Sequence, residues 1–359
     1  MLKAALLAAT VLLASASAPA QTPPPAAAAY DRAVAKSAVA KLVEEIEANF
    51  VYDDVAKRYA ARLRERLAAG AYDAPANADA LAKLVTADLQ AVAPDGHLHM
   101  RAPGGPRPGP RPVPASEAPP RHPPAMEQAG WIAPGIAFVR FNVFMGAPET
   151  LAAFRSFLDT HAGAKALIID ARTHGGGGLD EMDVLFPRIF DKPQTVMVMD
   201  TRASVAARGF RLPFASLVKV DAPPAYARAE HRVTPGAASP WRGARVYYLT
   251  SGRTGSAAEH LAAVFKGTGR ATLVGETTAG AGNFGGEADL PGGYMAFIPF
   301  GHSYYPGTAG WEGTGVEPDI KVAPERALYE TLVREGVAPE EAERLSASHM
   351  PSGAMVRRR

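Results

Sequence analysis

The chain has 359 residues, of which 47% are hydrophobic and 21% charged, and its formal net charge is +2. This length suffices for roughly two domains of ~150 residues, and the small net charge argues against nucleic acid or a membrane surface as a partner. The chain contains no cysteine. Disulfides, a thiol nucleophile, a thiolate metal site and a lipidated N-terminal cysteine are therefore excluded.

The first twenty residues have the pattern of an export signal. Lys3 precedes an apolar run over residues 4–13, and Ala18-Pro19-Ala20 ends the segment. This pattern predicts a signal peptide over residues 1–20, cleaved before Gln21. Because the apolar run is too short to cross a bilayer, we expect a periplasmic or secreted protein without stable membrane insertion after cleavage.

Residues 21–29, rich in proline and alanine, predict a flexible lead-in, and residues 30–102 predict a small helical domain. In the latter, apolar residues recur at steps of three and four, which is the period of an amphipathic helix; they begin with Val39, Leu42, Ile46 and Phe50. Asn77 and Asp79 are candidate caps of the last helix. The proline-dense residues 103–125 predict a linker or long surface loop, although a proline-rich ligand for another protein is an alternative.

Residues 126–325 alternate between strand and helix patterns and predict an α/β domain, with functional groups at the carboxyl ends of strands. The predicted helices are 149–161 and 257–266, and the predicted strands are 136–144, 166–170, 196–199, 246–249, 272–274 and 294–300. The strand over 166–170 is almost wholly apolar, as in buried parallel sheets. Residues 201–244 match no regular pattern, and residues 326–359 predict a C-terminal helix and tail.

Ser256 is the candidate nucleophile, because it lies between a predicted strand and the helix that starts at Ala257. A serine at this helix end is exposed to the positive pole of the helix dipole, and the Ala257 N–H can point at the same place. The alternative is purely structural, since Ser256-x-x-Glu259 also has the spacing of a helix capping box.

A second chemical feature is the run of four glycines over residues 175–178, which follows Asp170-Ala171-Arg172-Thr173-His174. Without Cβ atoms, the backbone N–H groups of such a run can approach an oxyanion closely. A flexible strand-to-helix turn is the alternative. A phosphate-binding loop is excluded because no Gly-Lys-Ser/Thr follows.

His97, after the turn residue Gly96, is a candidate general base, because imidazole has a pKa of about 6.5. A metal pair of His97 with His99 is a weaker alternative, and a surface histidine is the simplest interpretation of His99. Glu312 lies in a glycine-rich acidic turn and is a candidate for the acid that orients the base; a solvated loop acid is the alternative.

The order of these segments resembles the serine peptidases that include C-terminal processing proteases, tricorn and the interphotoreceptor retinoid-binding proteins. The matching pieces are Asp95-Gly96-His97-Leu98, residues 167–172 with the glycines, residues 254–259, residues 269–278 and Gly315-Val316-Glu317-Pro318-Asp319. The resemblance implies a crotonase-like core of β-β-α units. It also implies Ser256 as nucleophile, and an oxyanion hole of Ala257 with Gly176 or Gly177.

One departure from that pattern separates this chain from the processing proteases. Their base is a lysine in a Gly-Lys-Gly sequence, whereas this chain has Gly280-Ala281-Gly282. The resemblance therefore implies the branch that uses a histidine, with His97 as base and Glu312 as its acid. Glu259 is interpreted as a helix cap or a supporting acid.

The sequence thus predicts a serine-type peptidase that hydrolyses peptide or protein substrates through an acyl-enzyme, without a metal or other cofactor. Two alternatives stay open. A non-catalytic carrier of retinoids or lipids is possible on the same fold, and His174-Gly175-Gly176-Gly177 resembles the oxyanion loop of some α/β-hydrolase esterases. Against the esterase, Ser256 lacks the Gly-x-Ser-x-Gly context. The substrate and the oligomeric state do not follow from the sequence.

Overall fold

The computed structural model describes residues 30–104 and 123–356. The predicted signal peptide and lead-in, most of the proline-rich segment and residues 357–359 lie outside these ranges. Within them, no helix is both long enough and apolar enough to span a membrane.

The N-terminal region is helical, as predicted, and consists of α1 (Arg32–Asn49), α2 (Asp53–Ala68) and α3 (Ala78–Val92). The four periodic residues from Val39 to Phe50 are buried. Asn77 caps α3 by accepting the Ala80 N–H at 2.9 Å. Asp79 was predicted as a cap but lies inside the first turn of α3, where its charge favours the positive helix end.

The first sheet, here called the mixed sheet, has six strands in the order β12-β9-β8-β4-β3-β2. These strands are β2 (Met126–Ala133), β3 (Ile136–Phe141), β4 (Ala166–Asp170), β8 (Arg245–Thr250), β9 (Thr272–Gly275) and β12 (Ile320–Lys321). Every neighbouring pair is parallel except β2 with β3. The carboxyl ends of β4 and β8 therefore lie side by side, which brings the glycine run and the Ser256 turn to one edge.

The second sheet is antiparallel, with the order β1-β11-β5-β7-β6 and with β10 paired to β11. Its strands are β1 (His99–Arg101), β5 (Gln194–Arg202), β6 (Leu217–Val220), β7 (Tyr226–Val233), β10 (Asn283–Asp289) and β11 (Met295–Tyr304). Residues 201–244, which the sequence left unassigned, contain β6 and β7. Most residues of these two strands are half-buried or exposed, so the strands lack an apolar pattern.

The remaining helices are α4 (Pro148–Thr160), α5 (Asp180–Ile189), α6 (Ala203–Ala207), α7 (Ala257–Thr268), α8 (Pro324–Arg334) and α9 (Pro339–Ser348). The predicted single C-terminal helix is thus wrong: two helices are present. Gly336 has φ +85, and Pro339 begins α9. A left-handed glycine ends a helix and proline starts the next one.

The core has three parts. One fills the space between the two sheets around α4, α5 and α7, and a second packs α8 and α9 against the other face of the mixed sheet. The third joins the N-terminal helices to the antiparallel sheet, with Leu42 and Tyr59 in the same cluster as Ala296 and Ile298. The helical region therefore does not stand apart, and its packing positions the His97 segment against β11.

Candidate active site

The turn between β8 and α7 holds Ser256 in an unusual conformation. Ser256 has φ 54 and ψ −120, and it is the only non-glycine residue with positive φ in residues 30–104 and 123–356. Such a conformation costs on the order of 1–3 kcal/mol and persists only where neighbours enforce it. The Ser251 hydroxyl donates to the Arg172 carbonyl at 2.6 Å, and the Thr254 hydroxyl donates to the Ala171 carbonyl at 2.8 Å. The turn is thereby tied to the end of β4.

The end of β4 is itself held by a buried ion cluster. Asp170 accepts from Arg172 at 2.9 and 2.8 Å and from Arg140 at 2.9 Å, and all three side chains are at most 1% exposed. The two arginines lower the pKa of Asp170 despite its burial. Arg172 also donates to the Pro324 carbonyl at 2.9 Å. The strand end that carries the glycine run is thus rigidly attached to α8.

Glu259 is fully buried and accepts four hydrogen bonds. Its Oε2 binds the N–H groups of Ser256 at 2.9 Å and Ala281 at 2.8 Å, and its Oε1 binds the Gly280 N–H and the Thr278 hydroxyl, both at 2.6 Å. The bond to Ser256 is one half of the predicted capping box. The other three bonds attach α7 to residues 278–281, which the sequence did not predict.

The glycine run lies directly against Ser256. A Cβ on Gly176, whose φ is +115, would lie 2.7 Å from the Ser256 Cβ. A Cβ on Gly177, whose φ is +126, would lie 1.9 Å from the Phe144 carbonyl oxygen. Both positions thus require glycine, for conformation and for space.

The backbone N–H groups near Ser256 differ in whether they have a hydrogen-bond acceptor. Gly176 donates its N–H to Nδ1 of His174 at 3.0 Å. In the described ranges, the N–H groups of Gly177 and Ala257 have no hydrogen-bond acceptor. Ala257 is the first residue of α7, where no intrahelical acceptor exists. Two free donors therefore flank Ser256.

His97 lies on a tightly held loop between α3 and β1. Asp95 Oδ1 accepts the N–H groups of His97 and Leu98, both at 2.8 Å, and Gln90 bonds to the Asp95 N–H and carbonyl at 3.0 and 2.9 Å. The His97 ring stacks on Phe297 with centroids 5.3 Å apart. The sequence analysis assigned no role to Asp95 or Gln90, although Asp-Gly is a turn pattern in which aspartate bonds to the following backbone.

Glu312 contacts the same loop from another direction. Its Oε1 accepts the Gly96 N–H at 2.5 Å, and its Oε2 accepts the N–H groups of Gly282 and Asn283, both at 2.7 Å. Burial, together with the nearby carboxylate of Asp95, raises the pKa of Glu312 to about 7. Glu312 is therefore not a solvated loop acid: it binds the backbone immediately before His97.

Residues 280–283 connect all of these parts. Ala281 shares Glu259 Oε2 with Ser256, and a Cβ on Gly96 would lie 2.8 Å from the Ala281 Cα. Asn283 donates to Asp95 Oδ2 at 2.8 Å. The segment in which the sequence showed only a missing lysine is thus the junction between the Ser256 turn and the His97 loop.

A cavity of about 80 Å³ lies beside Ser256, Ala257 and Gly177. Its walls are mostly apolar and include Met199, Leu212, Phe214, Phe284 and Trp311, with His260 from α7. Met199 and Phe284 belong to the antiparallel sheet, and Leu212 and Phe214 lie in the region that the sequence left unassigned, so sequence reasoning did not find this group. The cavity offers space for a side chain next to the serine.

His99 lies in β1, and its Nδ1 contacts the His97 carbonyl at 2.6 Å. In the part of the chain that the structure describes, no three histidine, aspartate or glutamate side chains are grouped as metal ligands. The weaker metal interpretation of His97 and His99 therefore has no third ligand there.

The raised pKa of Glu312 predicts a pH dependence of stability. Between its ordinary pKa of 4.5 and the folded value of about 7, the folded protein binds a proton that the unfolded chain does not. The free energy of unfolding should therefore decrease as pH rises through this window. Glu312→Gln should weaken that dependence, measured by urea unfolding at about pH 5 and about pH 8. The control is Glu317→Gln, which changes an exposed acid on the same loop. The prediction would be contradicted if the unfolding free energy changed with pH equally in the wild type and both variants.

The order and spacing of these segments match a known family. The family model described as peptidase family S41 matches residues 135–322, which is more than half of the chain. The chain belongs to peptidase family S41. The model described as the N-terminal domain of this family in eukaryotic IRBP matches residues 31–132, so the helical region also has its counterpart.

This chain is also similar to solved structures. A provisionally assigned peptidase from Parabacteroides merdae has a TM-score of 0.53 at 16% identity, over 90% of this chain and 98% of that one. The photosystem II D1 C-terminal processing protease has a TM-score of 0.42 at 21% identity, over 58% of this chain. This S41 family member spans 48% of the length of that protease and 52% of the length of mature CPAF. The match to the Parabacteroides merdae structure, which covers nearly the whole of both chains, shows the same overall fold in a solved structure.

Proposed function

We propose that this protein is an exported serine-type peptidase whose nucleophile is Ser256, general base His97 and supporting acid Glu312. The observation that carries the proposal is the strained Ser256 backbone, flanked by the free N–H groups of Ala257 and Gly177. Proteins keep such strain mainly where function requires it. Family membership and the resemblance to the histidine-using branch support the same assignment.

The proposed reaction has two stages. His97 takes the proton of the Ser256 hydroxyl while Oγ forms a bond to the substrate carbonyl carbon, and the N–H groups of Ala257 and Gly177 stabilise the oxyanion. The C–N bond then breaks, and His97 delivers its proton to the leaving amine. Water, deprotonated by His97, then attacks the acyl carbon. The ester C–O bond breaks, the carboxylic acid product leaves, and His97 returns the proton to Ser256 Oγ.

Glu312 contributes by holding the base loop and by its charge. Its bonds to Gly96 and to Gly282 place a carboxyl group beside the segment that carries His97. In the ionised form this group stabilises the imidazolium that forms during proton transfer. Since burial and Asp95 raise its pKa to about 7, activity should increase as pH rises toward neutrality.

The peptidase is favoured over the two alternatives. A carrier of apolar ligands has no use for the strained Ser256 backbone or for the free N–H groups of Ala257 and Gly177. The esterase alternative lacks the Gly-x-Ser-x-Gly turn, and the family match is to peptidases. The two-sheet α/β architecture also supports the finer proposal of a crotonase-like core.

The function is tested with the mature protein and a mass-spectrometric peptide-library assay, using His97→Gln and the matched control His99→Gln. His97→Gln should lower kcat/KM by about 10²–10⁴-fold, because it removes the base. His99→Gln should stay within about threefold of the wild type, since no proton transfer is assigned to it. Absence of cleavage by the wild-type protein, or equal losses in the two variants, would contradict the proposal.

A further inference from the structure

His174 begins the glycine loop, here residues 174–178, but has no part in the proposed proton transfers. It is 1% exposed. Its Nδ1 accepts the Gly176 N–H at 3.0 Å, and its backbone carbonyl accepts the N–H of Gly255 at 3.0 Å, one residue before Ser256. One residue thus contacts both the glycine loop and the serine turn.

The hydrogen bond defines the tautomer of the ring. Because Nδ1 accepts a proton from a backbone N–H, the proton of the neutral imidazole resides on Nε2. Nε2 is buried without a hydrogen-bond partner in the described residues, and the ring meets Phe144 edge to face at a centroid distance of 4.2 Å. Burial lowers the pKa of His174 to about 3, so Nδ1 keeps its lone pair at neutral pH.

Phe144 holds the other side of the loop. Its N–H donates to the Gly176 carbonyl at 2.8 Å, and its carbonyl accepts the Gly178 N–H at 2.8 Å. In the planar peptide between Gly176 and Gly177, the N–H points opposite to the carbonyl. The bond from Phe144 therefore orients the Gly177 N–H, while the bond to His174 orients the preceding peptide.

We propose that His174 is a positioning residue: by accepting the Gly176 N–H, it keeps the glycine loop in the conformation that presents the Gly177 N–H beside Ser256. Four successive glycines have the largest backbone freedom of any sequence, so the loop needs such anchors. The bond also keeps the Gly176 N–H away from the acyl group. This inference rests on the proposed peptidase function.

The test compares His174→Leu, which removes the acceptor, with His174→Asn, whose Oδ1 can replace Nδ1. We expect His174→Leu to lower kcat by about 10²-fold, the effect of losing one oxyanion donor, with KM changed by less than about threefold. The kcat of His174→Asn should be at least about tenfold higher than that of His174→Leu. Urea unfolding of both variants checks that each is folded. Equal kcat values for the two folded variants, or a His174→Leu variant with wild-type kcat, would overturn the inference.

A second measurement does not depend on peptidase activity. Nitrogen-15 NMR of histidine-labelled protein should show His174 as the neutral tautomer protonated on Nε2, between about pH 5 and pH 8. A proton on Nδ1 would refute the role of His174 even if the protein cleaves peptides. Conversely, if a fluorophosphonate probe does not label Ser256 in the wild-type protein, the peptidase function fails whichever tautomer His174 has.

Discussion

Replacing Ser256 with alanine should abolish fluorophosphonate labelling and lower peptide cleavage by about 10⁴–10⁶-fold, as expected for a lost nucleophile. The helix α7 and the Glu259 contact use backbone atoms of residue 256, so the alanine variant should fold normally. Labelling is read by intact mass and by mapping of the modified peptide. A labelled Ser256→Ala protein would reject Ser256 as the nucleophile.

The same position predicts an opposition between activity and stability. Ser256 has φ 54, a conformation that glycine adopts without a steric penalty but alanine does not. Ser256→Gly should therefore be inactive. Relief of the backbone strain should raise its unfolding free energy by about 1–3 kcal/mol relative to Ser256→Ala. The greater chain entropy of glycine in the unfolded state offsets about 0.5–1 kcal/mol of this gain. Urea unfolding of the two variants measures the difference. If the glycine variant is the less stable, the backbone at Ser256 is not strained.

Replacing Glu259 with alanine should be the most destabilising single change at the site, costing about 3–5 kcal/mol of unfolding free energy. The carboxylate accepts three backbone N–H groups and one hydroxyl in a fully buried position. Without it, these donors have neither water nor protein acceptors. Two of the bonds connect Ser256 to Ala281, and Ala281 packs against Gly96. Losing Glu259 therefore loosens the junction between the Ser256 turn and the His97 loop, and activity should fall as well.

Glu259→Gln is the matched control for this change. It keeps the size of the side chain and one acceptor oxygen, but its amide nitrogen must face donor groups. Its loss of stability should therefore be smaller than that of Glu259→Ala, with both measured by urea unfolding. If both variants are within about 1 kcal/mol of the wild type, Glu259 is not the anchor of the site.

Local sequence patterns predicted the elements whose residues carry a regular period. The apolar spacing of α1 predicted a helix buried on one face, and the apolar run of β4 predicted a strand buried on both faces. The sequence also predicted the position of Ser256 at the start of α7 and of the glycine run after β4. In the antiparallel sheet, β5 and β11 were predicted, whereas β6 and β7 were not, since these two strands are partly exposed and lack an apolar pattern.

The amino-acid sequence by itself determined the chemistry available at the site: a serine at a helix start, a histidine after a turn glycine, an acid, and glycines that permit positive φ. Only the tertiary structure decided that Glu312 binds Gly96, 216 residues away, and that the Gly176 N–H is used by His174 while the Gly177 N–H is free. The physical reason is that the direction of a backbone N–H depends on the packing of distant strands, which leaves no periodic signal in the chain.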